Sequence, residues 1–390
     1  MIRYYKNTLE EFFKDIQELN KSPYKNVDLC FSIQERLITK ICYIEKCIKK
    51  YKREIRNWKK LLKSRKNLSG SNINSKELKN SISGLINKVK SYQNINYILH
   101  VVGDSIAYIY IDRWDIKPFQ FKESAGFLSG KKGFESELKC FRYCYKVNCI
   151  AILNDLTNCL RHGDLTLIKK DSFKIIEIKS GWVSNKRTVR QQENLEHILK
   201  YLESDYTDNL YDSSIPCKRI SYSTEPRYYV NELNNLIIHS KMSGSAYEEI
   251  EQGIIYYVAN KFNKNDIDDI MKRFTEAPSV FILNKYKYKF FGYYPLPLII
   301  KEPHSLYEFY TNTLIIIIFI DTVCINQFSQ DSYKGKDSQD NINDDSSVLI
   351  PLDLLNRIFF DFLSLDWVLK QLLHIKKQKI NENSFKKIIS

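Results

Sequence analysis

The stretch GDLTLIKKDSFKIIEIK, residues 163–179, decides how the centre of this chain folds. Two apolar runs flank the polar residues 169–172, a pattern typical of two β-strands joined by a turn. Side chains alternate between the two faces of a strand, so Glu177 and Lys179, two positions apart, share one face. The stretch therefore predicts a β-hairpin with an acidic and a basic side chain on one side of its second strand.

The pairing of the two strands decides whether Asp164 joins these residues. If Lys169 pairs with Ser172, Asp164 stands opposite Glu177. If a four-residue loop connects the strands, Asp164 stands opposite Lys179. Either register gathers the three residues, whereas the register between them would turn Asp164 to the other face, and the turn sequence leaves that choice open.

Asp164, Glu177 and Lys179 are groups that phosphodiester hydrolysis can use. Two carboxylates are hard oxygen ligands suited to Mg²⁺ or Mn²⁺, and such a metal polarises phosphoryl oxygens and lowers the pKa of the attacking water. A lysine beside them can orient that water or stabilise charge in the transition state. We therefore predict Asp164 and Glu177 as metal ligands and all three residues as catalytic.

The elements around the hairpin follow an α/β order. The sequence pattern predicts a helix over 134–146, strands over 150–156, 164–169 and 173–179, a helix over 187–203, and a strand near 226–231. This mixed order favours an α/β core.

In this context Asp164, Glu177 and Lys179 resemble the PD-(D/E)XK nuclease superfamily, in which an acid opens one strand and Glu-x-Lys follows on the next. The resemblance covers residues 130–205 and implies a restriction-endonuclease-like core, with a mixed sheet flanked by helices. The chain departs from the family motif in having Gly163 where the motif has proline. A tyrosine typical of some exonuclease branches is also absent, so an endonuclease is expected rather than an exonuclease.

The resemblance implies two further site residues. The family often carries a glutamate on its first core helix, and we predict Glu135, since Leu138 follows three positions later, with Glu137 as the alternative. It often carries a glutamine on the helix after the hairpin. Gln191 is our prediction, because it shares a face with the apolar residues of that helix, whereas Gln192 lies at the edge of that face.

The first quarter of the chain is strongly basic. Residues 1–90 contain 22 Lys and Arg against 9 Asp and Glu, so they hold +13 of the formal net charge of +14 on the 390 residues. A local basic excess is expected of a protein that contacts nucleic acid. We predict that Arg53, Arg56, Lys59 and Lys60 contact phosphates, the alternative being a solvated outer face of a helix.

The same region has the spacing of a coiled coil. Apolar residues alternate steps of four and three along a predicted long helix, at Leu37, Ile41, Ile44, Ile48, Tyr51, Ile55, Trp58 and Leu62. The period resumes after 67–74, with Asn74 as a candidate cap, so a helical hairpin is predicted. The seam would also suit a homo-oligomer or a partner protein.

Residues 92–112 are predicted as a core helix in which Asp104 has a structural role, hydrogen-bonded in the interior.

Three regions are predicted from these patterns. They are a basic helical or coiled-coil region over 1–91, the nuclease core over 92–240, and a C-terminal α+β region over 241–390. The last contains a predicted buried strand over 314–325, a helical tail over 353–376, and a polar segment, 330–347, predicted to be a disordered loop.

The resulting functional hypothesis is a Mg²⁺- or Mn²⁺-dependent nuclease acting on DNA rather than RNA. The resemblance suggests a restriction or anti-phage effector. The alternative is a non-catalytic nucleic-acid-binding or oligomeric scaffold on a degenerate nuclease fold. No signal peptide or membrane-spanning stretch is indicated, and the nine cysteines have no zinc spacing, so a cytoplasmic protein without a membrane partner is expected.

Overall fold

The computed structural model describes the chain except residues 66–74, 120–125, 132, 171, 179–185, 208–216, 220–221, 290–291, 322–351 and 382–390, and except the side chains of 64–65, 75, 186–192, 217, 352–353 and 376–381. The chain divides into two compact units. The first comprises Met1–Ile198 with Pro295–Leu298, and the second comprises Leu199–Tyr294 with Ile299–Ser390. The first unit thus contains the predicted helical region and the start of the predicted core, and the three-region division stays a prediction.

The first unit begins with three helices, α1 (Lys6–Lys21), α2 (Val27–Arg65) and α3 (Ser75–Tyr110). The predicted seam is buried along α2 at Leu37, Ile41, Ile44, Ile48 and Ile55. Trp58, near the end of the seam, is 37% exposed, so the packing of α2 loosens toward its carboxyl end.

Helices α2 and α3 form the predicted helical hairpin. Tyr51 stacks on Tyr92 at the middle of α3, and the Tyr110 hydroxyl at the end of α3 donates to the Pro23 carbonyl just before α2, so the two helices run antiparallel. The helix α3 continues without a break across residues 91 and 92, where the sequence analysis placed a region boundary. Asn74, the candidate cap, lies outside the described residues.

A short helix α4 (Arg113–Ile116) precedes α5 (Phe134–Lys146) and the strands β1 (Ile150–Leu153), β2 (Leu165–Lys169) and β3 (Ser172–Ile176); α6 (Lys186–Ser204) follows. The strands form an antiparallel sheet in the order β1-β2-β3. Lys169 pairs with Ser172 and Leu165 with Ile176, which confirms the hairpin and the first of the two registers considered.

The outer edge of β1 is closed by a side chain of α2. The Gln34 amide donates to the Ala151 carbonyl at 2.9 Å and accepts from the Leu153 N–H at 3.0 Å, in the positions that a further strand would use. A buried backbone edge needs such partners, because an unpaired amide away from water is costly. The long helical hairpin is thereby joined to the sheet that carries the candidate site.

The α/β character of the chain is confirmed, whereas the mixed sheet is not. All strand pairs in the described ranges are antiparallel. The strand predicted near 226–231 was wrong, since Tyr228 makes only an isolated bridge and α7 (Val230–Ser243) begins there. The Tyr-rich composition favoured a strand, but the apolar residues Leu233, Leu236 and Ile237 repeat with the period of a helix.

The second unit has α+β character. It holds a two-stranded sheet of β4 (Tyr206–Thr207) and β5 (Cys217–Lys218), and a four-stranded antiparallel sheet in the order β6-β7-β9-β8. The larger sheet contains β6 (Ser245–Glu251), β7 (Ile254–Ala259), β8 (Ser279–Ile282) and β9 (Ile315–Ile320). Its central strands β7 and β9 are almost entirely buried, which confirms the predicted apolar strand within 314–325.

Further helices complete the chain, namely α8 (Lys264–Met271), α9 (Leu296–Ile299), α10 (Pro303–Thr311), α11 (Leu352–Phe360) and α12 (Leu365–Asn381). The predicted tail helix is thus two helices, separated where Phe362 adopts a positive φ of 57°. The predicted loop 330–347 lies outside the described residues. Among the described helices, none combines the length and the apolar character that crossing a membrane requires.

Candidate active site

Three carboxylates meet at the entrance to the hairpin around one ammonium group. The Lys131 Nζ lies 2.9 Å from Glu137 Oε2, 2.6 Å from Asp155 Oδ2 and 3.4 Å from Asp164 Oδ1. The three acidic side chains are between 5% and 23% exposed. We call Glu137, Asp155 and Asp164 the acidic cluster; it carries three formal negative charges against one positive charge.

Asp164 is held by both strands of the hairpin. Its N–H donates to the Ile176 carbonyl at 2.8 Å, and its Oδ2 accepts from the Ile178 N–H at 2.7 Å. The side chain therefore takes over the strand pairing at the point where β3 ends, which leaves Oδ1 to face Lys131. A carboxylate fixed in this way has little freedom to turn out of the cluster.

Gly163 sets the approach of the chain to Asp164. Its φ is +70°, and a Cβ at this position would lie 2.2 Å from Ile175 Cγ2. Proline is locked near a φ of about −65° and cannot adopt this backbone. A residue with a positive φ is therefore needed at this position, because the chain enters β2 here by a left-handed turn.

Asp155 lies on a single 3-10 turn, Asn154–Leu156, which follows β1. Asn154 fixes this turn, since its Nδ2 donates to the His162 carbonyl at 2.8 Å and its Oδ1 accepts from Thr166 Oγ1 at 2.7 Å. Its N–H also donates to the Asp164 carbonyl at 3.0 Å. The end of β1 and the start of β2 are thereby tied together, which brings Asp155 and Asp164 to one place.

The helix α3 contacts this turn and the residues that directly follow it. Asp104, predicted to be structural, accepts hydrogen bonds from the Asn158 N–H and Nδ2 and from the Cys159 N–H, at 2.6–2.9 Å. The prediction for Asp104 is confirmed. Burial raises the pKa of the Asp104 carboxyl, while these hydrogen bonds oppose the shift. At Gly103 a Cβ would lie 2.0 Å from the Leu156 carbonyl oxygen, so only glycine allows this close approach.

The two candidate glutamates of α5 lie in different surroundings. Glu137 is buried in the acidic cluster, whereas Glu135 is exposed and lines a separate pocket beside α2. Phe141 and Cys144, four and seven positions after Glu137, are also buried. The helical period through these residues indicates Glu137, whereas the single spacing from Glu135 to Leu138 gave the opposite choice.

Lys131 comes from a short turn that α2 holds in place. The Lys131 N–H donates to the Leu128 carbonyl, and the N–H groups of Leu128 and Ser129 donate to the two carboxylate oxygens of the buried Glu45. Neither Lys131 nor Asp155 was predicted as a site residue. Asp155 directly follows a buried strand, which was a usable signal, whereas nothing in the local sequence connects Lys131 with residues 24 and 33 positions away.

The charges in the cluster act on one another. Burial lowers the pKa of the Lys131 ammonium, but Asp155 and Glu137 raise it by more, so its pKa lies above the ordinary value. Burial raises the pKa of the Glu137 carboxyl, the hydrogen bond from Lys131 lowers it, and the charges of Asp164 and Asp155 raise it, with a net upward shift. Burial lowers the pKa of the Arg161 guanidinium and Asp155 opposes that shift, so a second positive group also acts on the cluster. Besides burial, the charges of Asp164 and Asp155 raise the pKa of Glu137, so the carboxylates still repel one another.

The remaining predicted site residues are Glu177, Lys179 and Gln191. Glu177 follows β3 directly, opposite Asp164 if the register is extended by one position, and its side chain is exposed. Lys179 lies outside the described residues. Gln191 belongs to α6, the helix predicted to carry it, but its side chain and that of Gln192 lie outside the described part. Their roles stay predictions.

The predicted basic residues are all exposed on α2, at Arg53, Arg56, Lys59 and Lys60. Closer to the amino end of the same helix, Lys49 and Lys52 lie over the ring of Phe127, with 5.2 and 5.7 Å between each Nζ and the ring centroid. Phe127 precedes the turn that carries Lys131. The basic face of α2 therefore begins next to the segment that enters the acidic cluster.

No protein-family model matches the chain, and no curated protein and no solved structure matches it either. Within the described residues, no three His, Cys, Asp or Glu side chains are arranged as the ligands of one metal ion. In the acidic cluster, the Lys131 ammonium is the cation that the three carboxylates share.

Proposed function

We propose that the protein is a metal-dependent nuclease with its active centre at the acidic cluster. The observation that carries the proposal is the convergence of Glu137, Asp155 and Asp164 at the entrance of the hairpin. Ionised carboxylates repel one another, so three of them in one largely buried cluster need a cation beside them. A restriction-endonuclease-like core would use this end of its sheet for catalysis.

The side chains of the acidic cluster are of a chemical type that binds divalent metals. All three groups are carboxylates, which are the hard oxygen ligands that Mg²⁺ and Mn²⁺ prefer, and their oxygens already lie around one positive charge. Glu137, Asp155 and Asp164 would hold the ion, with Glu177 as the further ligand that the sequence predicts. When bound, the metal would supply Lewis-acid activation of the phosphodiester and of the attacking water.

The protein's own residues have distinct tasks in this proposal. The Ile178 N–H fixes Asp164 Oδ2, which holds Oδ1 toward the centre of the cluster. Lys131 balances the carboxylates before a metal binds and supplies a positive group beside the scissile phosphate afterwards. The predicted role of Lys179, to orient water or stabilise charge, is part of the same proposal.

The substrate proposed is DNA in preference to RNA, cut internally. The basic exposed face of α2 supports a polyanionic partner, since phosphate contacts by Lys and Arg supply most of the affinity for nucleic acid. A restriction or anti-phage role rests on the resemblance to the PD-(D/E)XK superfamily.

A second candidate function is a nucleic-acid-binding scaffold without catalysis. The observation that favours it is Lys131 itself, because an internal ammonium already pairs with all three carboxylates. In a scaffold this network would be structural. The two functions differ in what Mg²⁺ or Mn²⁺ does to the protein and to nucleic acid.

Glu137→Gln is expected to lower metal-dependent cleavage by about 100-fold or more, because it removes one charge of the proposed metal site. The assay uses plasmid, linear duplex, single-stranded DNA and RNA, each with Mg²⁺, Mn²⁺ or EDTA. Glu18→Gln is the control, since Glu18 is an exposed residue of α1 whose carboxylate pairs with the neighbouring Lys21. Glu135→Gln tests the choice between the two glutamates of α5. A larger loss of cleavage in Glu135→Gln than in Glu137→Gln would assign the catalytic role to Glu135 instead. Cleavage by Glu137→Gln at the rate of the unaltered protein would favour the scaffold.

Lys131→Met is expected to make the protein less stable without metal and more strongly stabilised by metal. It leaves three carboxylates without their shared cation, which should lower the melting temperature in EDTA by roughly 3–8 °C in a protein of this size. Mn²⁺ should then raise the melting temperature more than it does in the unaltered protein, because the metal no longer competes with an ammonium. Scanning calorimetry over a Mn²⁺ series measures both effects. If Mn²⁺ shifts neither protein, the cluster is structural.

A further inference from the structure

A surface pocket lies between α2 and the turn that carries Lys131. Its volume is about 380 Å³, and its lining includes Lys46, Lys49, Ser129, Gly130, Phe134 and Glu135. Gly130 is the neighbour of Lys131, and Glu135 lies two residues before Glu137. The pocket therefore borders the two segments that contribute to the acidic cluster, without containing any residue of that cluster.

The pocket residue Lys49 has neutral groups as its hydrogen-bond partners. The Lys49 ammonium donates to the carbonyl oxygen and, at 2.9 Å, to the hydroxyl oxygen of Ser129, and it lies over the Phe127 ring. These partners orient the ammonium but are neutral. In the part of the chain that the structure describes, neither Lys46 nor Lys49 pairs with a carboxylate. Glu135 is the acidic lining residue, so the two lysines leave the pocket with a net positive charge.

Hydrogen bonds fix the turn that forms one wall of the pocket. The buried Glu45 binds the N–H groups of Leu128 and Ser129 at 3.0 and 2.6 Å, which fixes the turn against α2. The ring of Phe127, the neighbour of Leu128 in the lining, lies beneath the ammonium groups of Lys49 and Lys52. Uncompensated cations beside an aromatic ring are the combination with which proteins bind the backbone and the bases of nucleic acid.

We propose that this pocket binds a phosphate group of the nucleic-acid strand, through Lys46 and Lys49, and so places the strand beside the acidic cluster. The proposal rests on the proposed function in taking nucleic acid as the substrate. The phosphate is either an internal phosphodiester or a terminal 5′-phosphate, which share the anionic oxygens that the lysines recognise. The site differs from Arg53, Arg56, Lys59 and Lys60, which lie further along α2.

The test is binding of a fluorescent oligonucleotide to the full-length protein in EDTA, where metal-dependent cleavage does not occur. Lys46→Gln combined with Lys49→Gln should weaken binding about tenfold or more and reduce the slope of log K against log salt by about 1–2. The matched control is Lys139→Gln combined with Lys146→Gln, which removes the same charge from exposed positions of α5. Glu135→Gln should strengthen binding, because it removes the carboxylate of the pocket.

Oligonucleotides with and without a 5′-phosphate separate the two sources of the phosphate. Equal affinity points to an internal phosphodiester, and a preference for the 5′-phosphate that the Lys46 and Lys49 variant loses points to a strand end. If that variant and the control pair bind alike, the pocket does not hold a phosphate. Metal-dependent cleavage by the unaltered protein together with that result would overturn this inference alone, whereas weakened binding without any cleavage would overturn the nuclease alone.

Discussion

Asp164→Asn is expected to abolish cleavage and to leave the fold intact. The amide keeps a carbonyl oxygen that can accept the Ile178 N–H, so the junction of the two strands is preserved. The charge that faces Lys131 is lost, and with it a proposed metal ligand. We expect cleavage to fall by about 10³-fold or more, the size of loss that follows removal of a central catalytic group.

The same substitution should keep or raise the melting temperature in EDTA. The acidic cluster holds three carboxylates for one ammonium, so removing one charge lessens repulsion. Single-turnover cleavage and calorimetric Mn²⁺ titration of Asp164→Asn and Asp164→Ala measure the two properties. Loss of activity in both variants, with weaker Mn²⁺ binding and an unchanged fold, is the expected pattern. Cleavage at the unaltered rate by either one would remove the active centre from this cluster.

Gly163→Pro is expected to destabilise the protein by about 3 kcal/mol or more, although proline is what the PD-(D/E)XK motif has at this position. The backbone at Gly163 has a φ of +70°, which the proline ring cannot adopt. The added Cβ would also lie 2.2 Å from Ile175 Cγ2 in β3. To accommodate proline, the chain would have to move Asp164 away from Ile176 and Ile178, so cleavage should be lost as well.

Urea unfolding measures the change in stability, and circular dichroism shows whether the helices remain. Gly163→Ala should be destabilised less than Gly163→Pro, because alanine reaches a positive φ at some cost and only its methyl group collides. Gly84→Ala on α3 is the matched control, since a Cβ there has no neighbour within 4 Å, and it should be neutral or stabilising. A Gly163→Pro protein with unchanged stability would show that the chain does not enter β2 by the left-handed turn.

The helices and strands of the first unit follow closely from local patterns. The helix over 134–146 and the hairpin were predictable, because the period of the apolar residues and the turn at 169–172 act over a few positions. The predictions failed where a local preference was weak. The segment 226–231 contains tyrosines that suit a strand, yet the chain begins a helix at Val230, where its apolar face is buried.

The candidate site was only partly predictable for the same reason. The sequence spacing identified the hairpin and Asp164 at its entrance, but it left the register of the two strands open. The structure decided that register, with Lys169 opposite Ser172. Glu137 was left as an alternative, because choosing between two glutamates requires knowing which face of α5 is buried. Asp155 was not predicted as a site residue, although the turn that carries it places it beside Asp164.

The sequence by itself determined the long basic helical hairpin, the β-hairpin and the presence of an acid at its entrance, since each follows from residues that are neighbours along the chain. Only the tertiary structure decided that Lys131 balances Glu137, Asp155 and Asp164, and that Lys46 and Lys49 face the adjoining pocket. These contacts depend on Glu45 and Gln34 of α2, which bind backbone groups of the 128–129 turn and of β1 from 83 to 119 positions away. A pairing across such distances leaves no periodic trace in a single sequence, because each partner is locally an ordinary polar residue.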